Sequence, residues 1–332
     1  MINNLDLKEL QDLTGPFSTS GEHVQGPGGN TSVKVEENIL IKASGYTFGD
    51  VKEGHGIVLL SNNEIRDNLN LKIKGKVDPS SPKVLFSTPE NLRPSMEFEF
   101  HSLLKKYVLH THSVYANVIT CSTTCKDILS KLFDKEEYLL VPYVTPGTPI
   151  ASYLLANTGT QNIPTVIFLK NHGIIVHGDH LADVVNTYNK VEKTIRDYLD
   201  LPLMHDITIR RNEVGDLVDS GEISKFCSDL ANAGYLLTEE ILIPDQSIFF
   251  KDKIYYSEPT AQCLFIDPHD NSITIIGSDK FRKAGKEMLL AVYYIRNQLT
   301  RLGFTPDYIS SEKIAIMHNL DTEKYRANIL KN

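Results

Sequence analysis

Three histidines of this 332-residue chain stand where metal ligands would be expected. His110 and His112 are separated by one residue and follow the apolar run 107–109. If this segment is a strand, both imidazoles project from one face, roughly 7 Å apart, and can reach the same ion. His172 follows a second apolar run, at 165–170. Because catalytic zinc usually takes three protein ligands and leaves one position open, the three histidines predict a catalytic metal site.

Glu97, upstream of the histidine pair, is the candidate general base. A carboxylate near a metal but not bound to it can remove a proton from a substrate. A helix is predicted to begin at Pro94-Ser95-Met96-Glu97, with Ser95 as its N-cap. On that helix His101 lies one turn after Glu97 and is predicted to pack or hydrogen-bond rather than bind metal. Glu99 lies about 200° around the helix from Glu97 and is predicted to face solvent.

Two glycine-containing segments lie farther upstream, on either side of a predicted strand at 38–43. The first is Gly28-Gly29-Asn30-Thr31-Ser32 and the second is Ser44-Gly45. Glycine allows the backbone to approach a ligand closely, and asparagine and serine side chains can hydrogen-bond to it. On local grounds, a hairpin with structural glycines and a phosphate-binding loop are both consistent with these residues.

Apolar periodicity predicts the elements that position these residues. Helices are predicted at 6–13, 113–119, 150–156, 179–199, 222–233 and 279–302, and a last one begins near Ser310. Strands are predicted at 38–43, 57–60, 107–112, 139–144, 165–170, 241–250, 261–266 and 272–277. The segment 61–93 is polar, and its lysine run, Lys72, Lys74 and Lys76, is interpreted as a solvated edge. Because Leu201-Pro202 marks a boundary, we expect a catalytic domain at 1–205 and a smaller α+β extension at 206–332.

The composition, with 41% hydrophobic and 23% charged residues, is ordinary for a soluble globular protein. A formal charge of −8 argues against a nucleic-acid partner. No apolar run reaches the ~18 residues of a membrane span, and residues 1–6 lack a signal-peptide pattern, so no membrane association and a cytoplasmic location are expected. Cys121, Cys125, Cys227 and Cys263 match no common zinc pattern, and the first two are interpreted as small buried residues.

Six short motifs follow one another along the first part of the chain. They are Gly28-Gly29-Asn30-Thr31-Ser32, Ser44-Gly45, Pro94-Ser95-Met96-Glu97 with His101, His110-Thr111-His112-Ser113, Pro142-Tyr143 with Gly147-Thr148, and Asn171-His172-Gly173. In this order they resemble the class II aldolase/adducin family, over roughly residues 5–200. The resemblance implies an α/β/α sandwich around a mainly antiparallel sheet. It also implies assembly as a four-fold ring, so a homotetramer is expected.

The resemblance further implies roles for individual residues. His110, His112 and His172 would bind Zn²⁺ or another divalent metal, and Glu97 would remove the proton from the carbon next to a carbonyl. The metal would chelate the ketone and adjacent hydroxyl oxygens and stabilise the enediolate as a Lewis acid. Tyr143 matches a tyrosine that reaches into a neighbouring subunit's site as a proton donor. The residues that match phosphate-binding positions are Gly29, Asn30, Ser44, Gly45 and Ser95.

By this resemblance, the expected function is zinc-dependent cleavage or formation of a phosphorylated ketose, a sugar phosphate, yielding dihydroxyacetone phosphate and an aldehyde. A sugar-phosphate 4-epimerase or dehydratase is the alternative, because it would keep the metal and phosphate residues and differ in its acid/base groups. A non-enzymatic, adducin-like scaffold is disfavoured, since the adducins have lost the metal histidines. Two features depart from the family pattern. Met96 stands where fuculose-phosphate aldolases have a second serine, and the tail at 205–332 is absent from short members.

Overall fold

The computed structural model describes residues 4–76, 82–159, 162–211, 215–221, 223, 237–250, 252–255, 261–267, 269 and 272–321. Cys227 and, apart from Ile223, the helix predicted at 222–233 lie outside these residues. Within them, no helix is both long and apolar enough to cross a membrane.

A large, mainly antiparallel sheet forms the centre of residues 30–178. Its strands are β1 (Asn30–Val35), β2 (Asn38–Lys42), β3 (Ile57–Ser61), β4 (Val84–Thr88), β5 (Tyr107–Thr111), β6 (Tyr138–Val141), β7 (Val166–Leu169) and β8 (Gly173–Gly178). Their spatial order is β4-β3-β2-β1-β5-β8-β7-β6, and every neighbouring pair is antiparallel except β6–β7. The predicted strands at 38–43, 57–60 and 165–170 are confirmed, and so is the mainly antiparallel sheet.

Helices cover both faces of this sheet. In chain order they are α1 (Asn4–Thr14), α2 (Phe48–Lys52), α3 (Asn62–Ile73), α4 (Phe98–Leu103), α5 (Val114–Thr120), α6 (Cys125–Leu132), α7 (Thr148–Thr158) and α8 (Leu181–Leu199). Because neighbouring strand residues point to opposite faces, Leu109 is buried with α1, α2, α5, α6 and α8, whereas Val108 is buried with α3, α4 and α7. The α/β/α sandwich that was predicted is therefore confirmed.

The segment 61–93 is more structured than its polar sequence suggested. It contains α3 and β4, and the Ser61 hydroxyl caps α3 by accepting from the Glu64 N–H. Ile65 and Leu69, four residues apart, give this helix a narrow buried face. Lys74 and Lys76 are exposed, as expected for the predicted solvated edge, whereas Ile65 and Leu69 attach the helix to the sheet.

The C-terminal region adds a second sheet and three more helices to the described residues. Its strands are β9 (Thr208–Arg211), β10 (Asp216–Asp219), β11 (Ile254–Tyr255), β12 (Cys263–Ile266) and β13 (Ile273–Ile276), in the order β11-β12-β13-β10-β9. The helices are α9 (Pro244–Phe250), α10 (Asp279–Arg301) and α11 (Ser311–His318). Ser278 and Ser310 cap α10 and α11, which begin where the helices at 279–302 and near Ser310 were predicted.

One prediction in this region is wrong. Residues 241–250 were expected to form a strand, but only 241–243 precede the helix α9, which begins at Pro244. The three apolar residues at each end of the segment, 241–243 and 248–250, are typical of a buried strand. A proline is nevertheless well suited to the first position of a helix, because its fixed φ is helical and it needs no hydrogen-bond donor there.

The C-terminal region shares an apolar core with the preceding sheet. Leu289 and Leu299 of α10 are fully buried in the same cluster as Leu109 of β5. The rings of Tyr294 and Tyr115, on α10 and α5, meet edge to face at 5.7 Å. The division of the chain near residue 205 stays a prediction, and the extension packs as part of the main body.

The described cysteines are small buried side chains. Cys121, Cys125 and Cys263 carry free thiols. Burial raises the pKa of the Cys121 and Cys125 thiols, which keeps both protonated. The interpretation of these two as buried residues is confirmed.

A buried histidine on β8 leads to a testable pH dependence. His177 donates from Nε2 to the Pro164 carbonyl and accepts from the Lys105 N–H, so its neutral form is fully bonded. Burial lowers the pKa of His177 from 6.5 to about 4. In the unfolded chain the group takes up a proton below pH 6.5, whereas in the folded chain it stays neutral. The contribution of His177 to the free energy of unfolding is therefore fully present above pH 6.5. It is lost as the pH falls toward 4, which lowers the free energy of unfolding by about 3 kcal/mol.

Replacing His177 with glutamine, which does not titrate, should flatten this acid dependence. We expect urea unfolding at about pH 7.5 and about pH 5 to show a smaller loss of stability in His177→Gln than in the wild type. The same pH slope in both proteins would contradict the assignment of a neutral buried imidazole.

Candidate functional site

The three histidines predicted as metal ligands lie together at one end of the large sheet. His110 is on β5, His112 follows that strand directly, and His172 is in the turn between β7 and β8. Their ring centroids are 4.9–5.1 Å apart, and one ligand atom from each lies within 4.8 Å of the others. All three are buried. The site could therefore hold a metal ion.

The turn that carries His172 depends on the residues on either side of it. The backbone reverses at Asn171, whose φ is +55°, and not at Gly173. Gly173 is required for another reason: a Cβ there would lie 2.1 Å from the Thr111 carbonyl oxygen. Asn171 is held in this conformation by its side-chain amide, which donates to the carbonyls of Leu242 and Asp307 in the C-terminal region.

The protonation of His110 fits a metal ligand. Its Nδ1 lies 3.1 Å from the Ile174 carbonyl, which can only accept, so Nδ1 carries the proton. Nε2 makes no hydrogen bond within the described residues. Burial, and then the neighbouring His112, lower the pKa of His110 from 6.5 to about 3. The imidazole is therefore neutral at physiological pH and directs the Nε2 lone pair into the site, as a divalent metal requires.

Glu97 faces these imidazoles. One carboxylate oxygen, Oε2, lies 3.4 Å from Nε2 of His110, and Oε1 lies 3.7 Å from Nε2 of His172. Oε2 also accepts a 2.7 Å hydrogen bond from the Asn30 amide. Helix α4 begins at Phe98 with Glu97 in the N-cap position, so the prediction of Ser95 as N-cap is wrong. The Ser95 hydroxyl is used elsewhere, since it accepts from Asn30 and from the Glu97 N–H.

A buried hydrogen-bond chain orients the Asn30 amide. Burial lowers the pKa of His101 well below its usual value, so the ring is neutral. It bonds to Ser32 through Nδ1 and to the Asn30 carbonyl oxygen through Nε2. Because the Asn30 carbonyl is engaged in this way, its NH₂ group is turned toward Glu97. His101 therefore hydrogen-bonds as predicted, and through Asn30 it is linked to Glu97.

Glu99 contradicts its prediction. It was expected to face solvent but is 2% exposed and lies 2.8 Å from the Lys72 ammonium. Lys72 belongs to α3, the helix that the sequence did not predict, so the partner that allows burial of Glu99 could not be anticipated.

All five residues predicted to bind phosphate line one small cavity with Glu97, His112 and His172. Its volume is about 30 Å³. The five are Gly29, Asn30, Ser44, Gly45 and Ser95.

Lys42 also lines this cavity, although it was not predicted from the sequence as a site residue. Its buried ammonium donates to the carbonyls of Pro27 and Tyr46, at 3.0 and 2.7 Å, and so joins the two glycine-containing segments. The one available signal was a lysine at the end of an otherwise apolar strand, directly before Ser44-Gly45.

Tyr143 is not brought to the histidines within this chain. It does not belong to the described residues that line the cavity. Its ring instead lies 5.1 Å from the ammonium of Lys313, on α11. A role in a neighbouring subunit's site stays a prediction.

The second residue that sequence reasoning missed is Asp245, on α9. Its Oδ2 lies 2.9 Å from Nδ1 of His112, and both side chains are buried. No motif marks this aspartate, because the contact joins residues far apart in the chain.

These observations define the class of protein. The chain belongs to the class II aldolase family, since the family model Class II Aldolase and Adducin N-terminal domain matches residues 18–199, more than half of the 332. The large sheet and all three histidines fall within this match, whereas Asp245 and the second sheet lie beyond it.

Two similar proteins carry different functional names. A 3-oxo-tetronate 4-phosphate decarboxylase from Haemophilus influenzae is 24% identical over 230 residues, 67% of this chain and 100% of that protein. An L-fuculose phosphate aldolase from Methanococcus maripaludis is 27% identical over 181 residues, 52% of this chain and 82% of that protein. Among solved structures, the N-terminal class II aldolase domain of a conserved protein from Thermoplasma acidophilum is 21% identical, with a TM-score of 0.49, covering 60% of this chain and 96% of that one.

Proposed function

We propose that this protein is a divalent-metal-dependent aldolase that forms or cleaves a phosphorylated ketose. The observation that carries the proposal is the position of Glu97. Its carboxylate lies 3.4 Å from the free nitrogen of His110 and is held there by Asn30. A buried base beside three potential metal ligands is suited to removing a proton from carbon next to a carbonyl.

In the condensation direction, Glu97 removes the proton from the hydroxyl-bearing carbon of dihydroxyacetone phosphate. The electron pair of that C–H bond moves toward the carbonyl oxygen and leaves an enediolate. A divalent metal held by the three imidazoles would supply Lewis acidity, which stabilises negative charge on that oxygen. The deprotonated carbon then bonds to the carbonyl carbon of an aldehyde, whose oxygen takes up a proton from water, and Glu97 gives its own proton back to water. Cleavage is the reverse, with protonated Glu97 returning the proton to carbon.

The phosphate would be held by the hydroxyl groups of Ser44 and Ser95 and by the backbone N–H of Gly45, because the backbone N–H groups of Ser44 and Ser95 already donate to the carbonyls of Arg93 and Lys42. Ser44, Gly45 and Ser95 lie in one cavity with Glu97, which supports this assignment. Asn30 is better explained by its hydrogen bonds to Glu97 and Ser95 than by a direct phosphate contact.

A decarboxylase is the second candidate. It is favoured by the relative from Haemophilus influenzae, whose whole length matches this chain. Loss of CO₂ from a 3-oxo acid also leaves an electron pair next to a carbonyl, so the same metal ligands would serve it, and protonated Glu97 would deliver a proton to the carbon that has lost CO₂. An epimerase or dehydratase would use them too. We also propose that the metal is zinc, that the protein assembles as a homotetramer and that it is located in the cytoplasm.

Product analysis separates these reactions. Protein purified without chelators is assayed for metal and incubated with dihydroxyacetone phosphate and a panel of short aldehydes. We expect new carbon–carbon products by mass spectrometry, their loss after chelation and their return with Zn²⁺. A parallel incubation with a phosphorylated 3-oxo acid monitors CO₂. Release of CO₂ without any condensation product would reject the aldolase in favour of the decarboxylase.

A further inference from the structure

The contact between Asp245 and His112 joins the extension to the metal site. Asp245 lies on α9, outside the residues that match the family model. Its Oδ2 is 2.9 Å from His112 Nδ1, and the two side chains are 5% and 4% exposed. A carboxylate with so little access to water is stabilised only by its protein partners, and this imidazole is one of them.

Gly28 lies against this pair, and its lack of a side chain leaves room for the contact. A Cβ on Gly28 would lie 2.7 Å from Oδ2 of Asp245 and 2.9 Å from Nδ1 of His112. Any other residue at position 28 would force the pair apart. The glycine is therefore required by the contact itself, in addition to any role in binding phosphate.

The segment that carries Asp245 is fixed to the main body. The Leu242 carbonyl accepts from Asn171, the residue before His172, and from the Cys121 thiol. The Leu242 N–H donates to Gln246, whose amide in turn donates to the Leu237 carbonyl. Asp245 is thus held between anchored residues and is not on a free loop.

The contacts of the two ring nitrogens of His112 indicate which of them remains for a metal. The Gly29 N–H lies 3.4 Å from Nε2 and points its hydrogen at it, so Nε2 carries a lone pair. The ring proton is then on Nδ1, which faces Asp245. His110 has the same arrangement, with the Ile174 carbonyl as the partner of Nδ1. The two histidines differ in two respects: the partner of His112 Nδ1 is charged, and Nε2 of His112 accepts from Gly29, whereas Nε2 of His110 makes no hydrogen bond within the described residues.

We propose that Asp245 is a positioning residue of the metal centre, supplied by the C-terminal extension. Its carboxylate accepts the Nδ1 proton of His112, fixes the ring and increases the basicity of Nε2 toward a divalent cation. The proposal rests on the proposed metal site but not on which reaction that site performs. Such partners of metal-binding histidines commonly change metal affinity by 10–100-fold.

The test is metal affinity, measured without any turnover. Asp245→Asn should bind Zn²⁺ roughly 10–100-fold more weakly in competition with a chromophoric chelator. In Co²⁺-loaded protein its visible absorption bands should shift, because the His112 ligand is altered. Asp245→Ala, which removes both the charge and the acceptor, should bind Zn²⁺ at least as weakly as Asp245→Asn, which keeps an uncharged acceptor oxygen. Melting curves of the metal-free proteins show that all variants are folded.

Asp307→Asn is the matched control. Asp307 also comes from the extension and pairs with Lys170, beside the His172 turn, but it does not touch a ligand histidine. We expect its Zn²⁺ affinity and Co²⁺ spectrum to match the wild type. Unchanged affinity in Asp245→Asn, or an equal loss in Asp307→Asn, would overturn the proposal. A wild type that binds no metal would reject the metal centre as well, whereas a metal-binding wild type without aldol activity would reject only the proposed reaction.

Discussion

Glu97→Gln should lower the rate of the carbon–carbon reaction by about 10³-fold, because an amide cannot accept the substrate proton. The substitution keeps the shape of the side chain, and its carbonyl oxygen can still accept from Asn30. Fold and metal content should therefore be unchanged. Steady-state rates, metal analysis and a thermal melt measure the three properties on the same preparation.

Glu99→Gln is the control for this variant. Glu99 is also buried and lies two residues away, but it contacts Lys72 and not the histidines. We expect it to lose stability and keep its turnover per folded molecule. If Glu97→Gln retained full activity, the proposed base would have to be another residue.

Gly173→Ala should have the largest effect on stability. Its Cβ would lie 2.1 Å from the Thr111 carbonyl oxygen, a backbone atom of the paired strand β5. Relief requires the two strands to separate where they position the three histidines. We expect a loss of about 3 kcal/mol or more in urea unfolding, together with weakened Zn²⁺ binding.

Gly15→Ala tests whether any glycine replacement has this effect. The nearest atom to a Cβ at Gly15 is on the flexible Lys52 side chain, at 3.9 Å. We expect its stability to be close to that of the wild type. An equally mild result for Gly173→Ala would mean that β5 and β8 can separate there without loss.

The sequence predicted the main sheet and the three candidate metal ligands, which the structure brings together, because both depend on local pattern. His110 follows an apolar run on β5 and His172 an apolar run on β7, so each lies at the end of a buried strand. The resemblance to the family then placed Glu97 with them. The position of Glu97 relative to its helix was predicted wrongly, because the Ser95 hydroxyl bonds to Asn30 and does not cap the helix.

The remaining features depend on contacts between distant parts of the chain. Lys42 is buried because carbonyls of Pro27 and Tyr46 surround its ammonium, and neither is marked in the sequence. Asp245 lies in a segment whose apolar residues are typical of a strand. Its partner, His112, directly follows the distant strand β5. Local periodicity contains no information about such pairings, so these two residues could be found only in three dimensions.

The place of Asp245 in the chain sets an order for the completion of the site during synthesis. All three histidines and Glu97 leave the ribosome before the segment that carries Asp245, by roughly 4–15 seconds at ordinary rates of translation. During that interval the histidines have no C-terminal region over them. We expect a nascent chain to take up metal more easily than the finished protein, whose cavity at the histidines measures about 30 Å³. Arrival of α9 would then retain the ion.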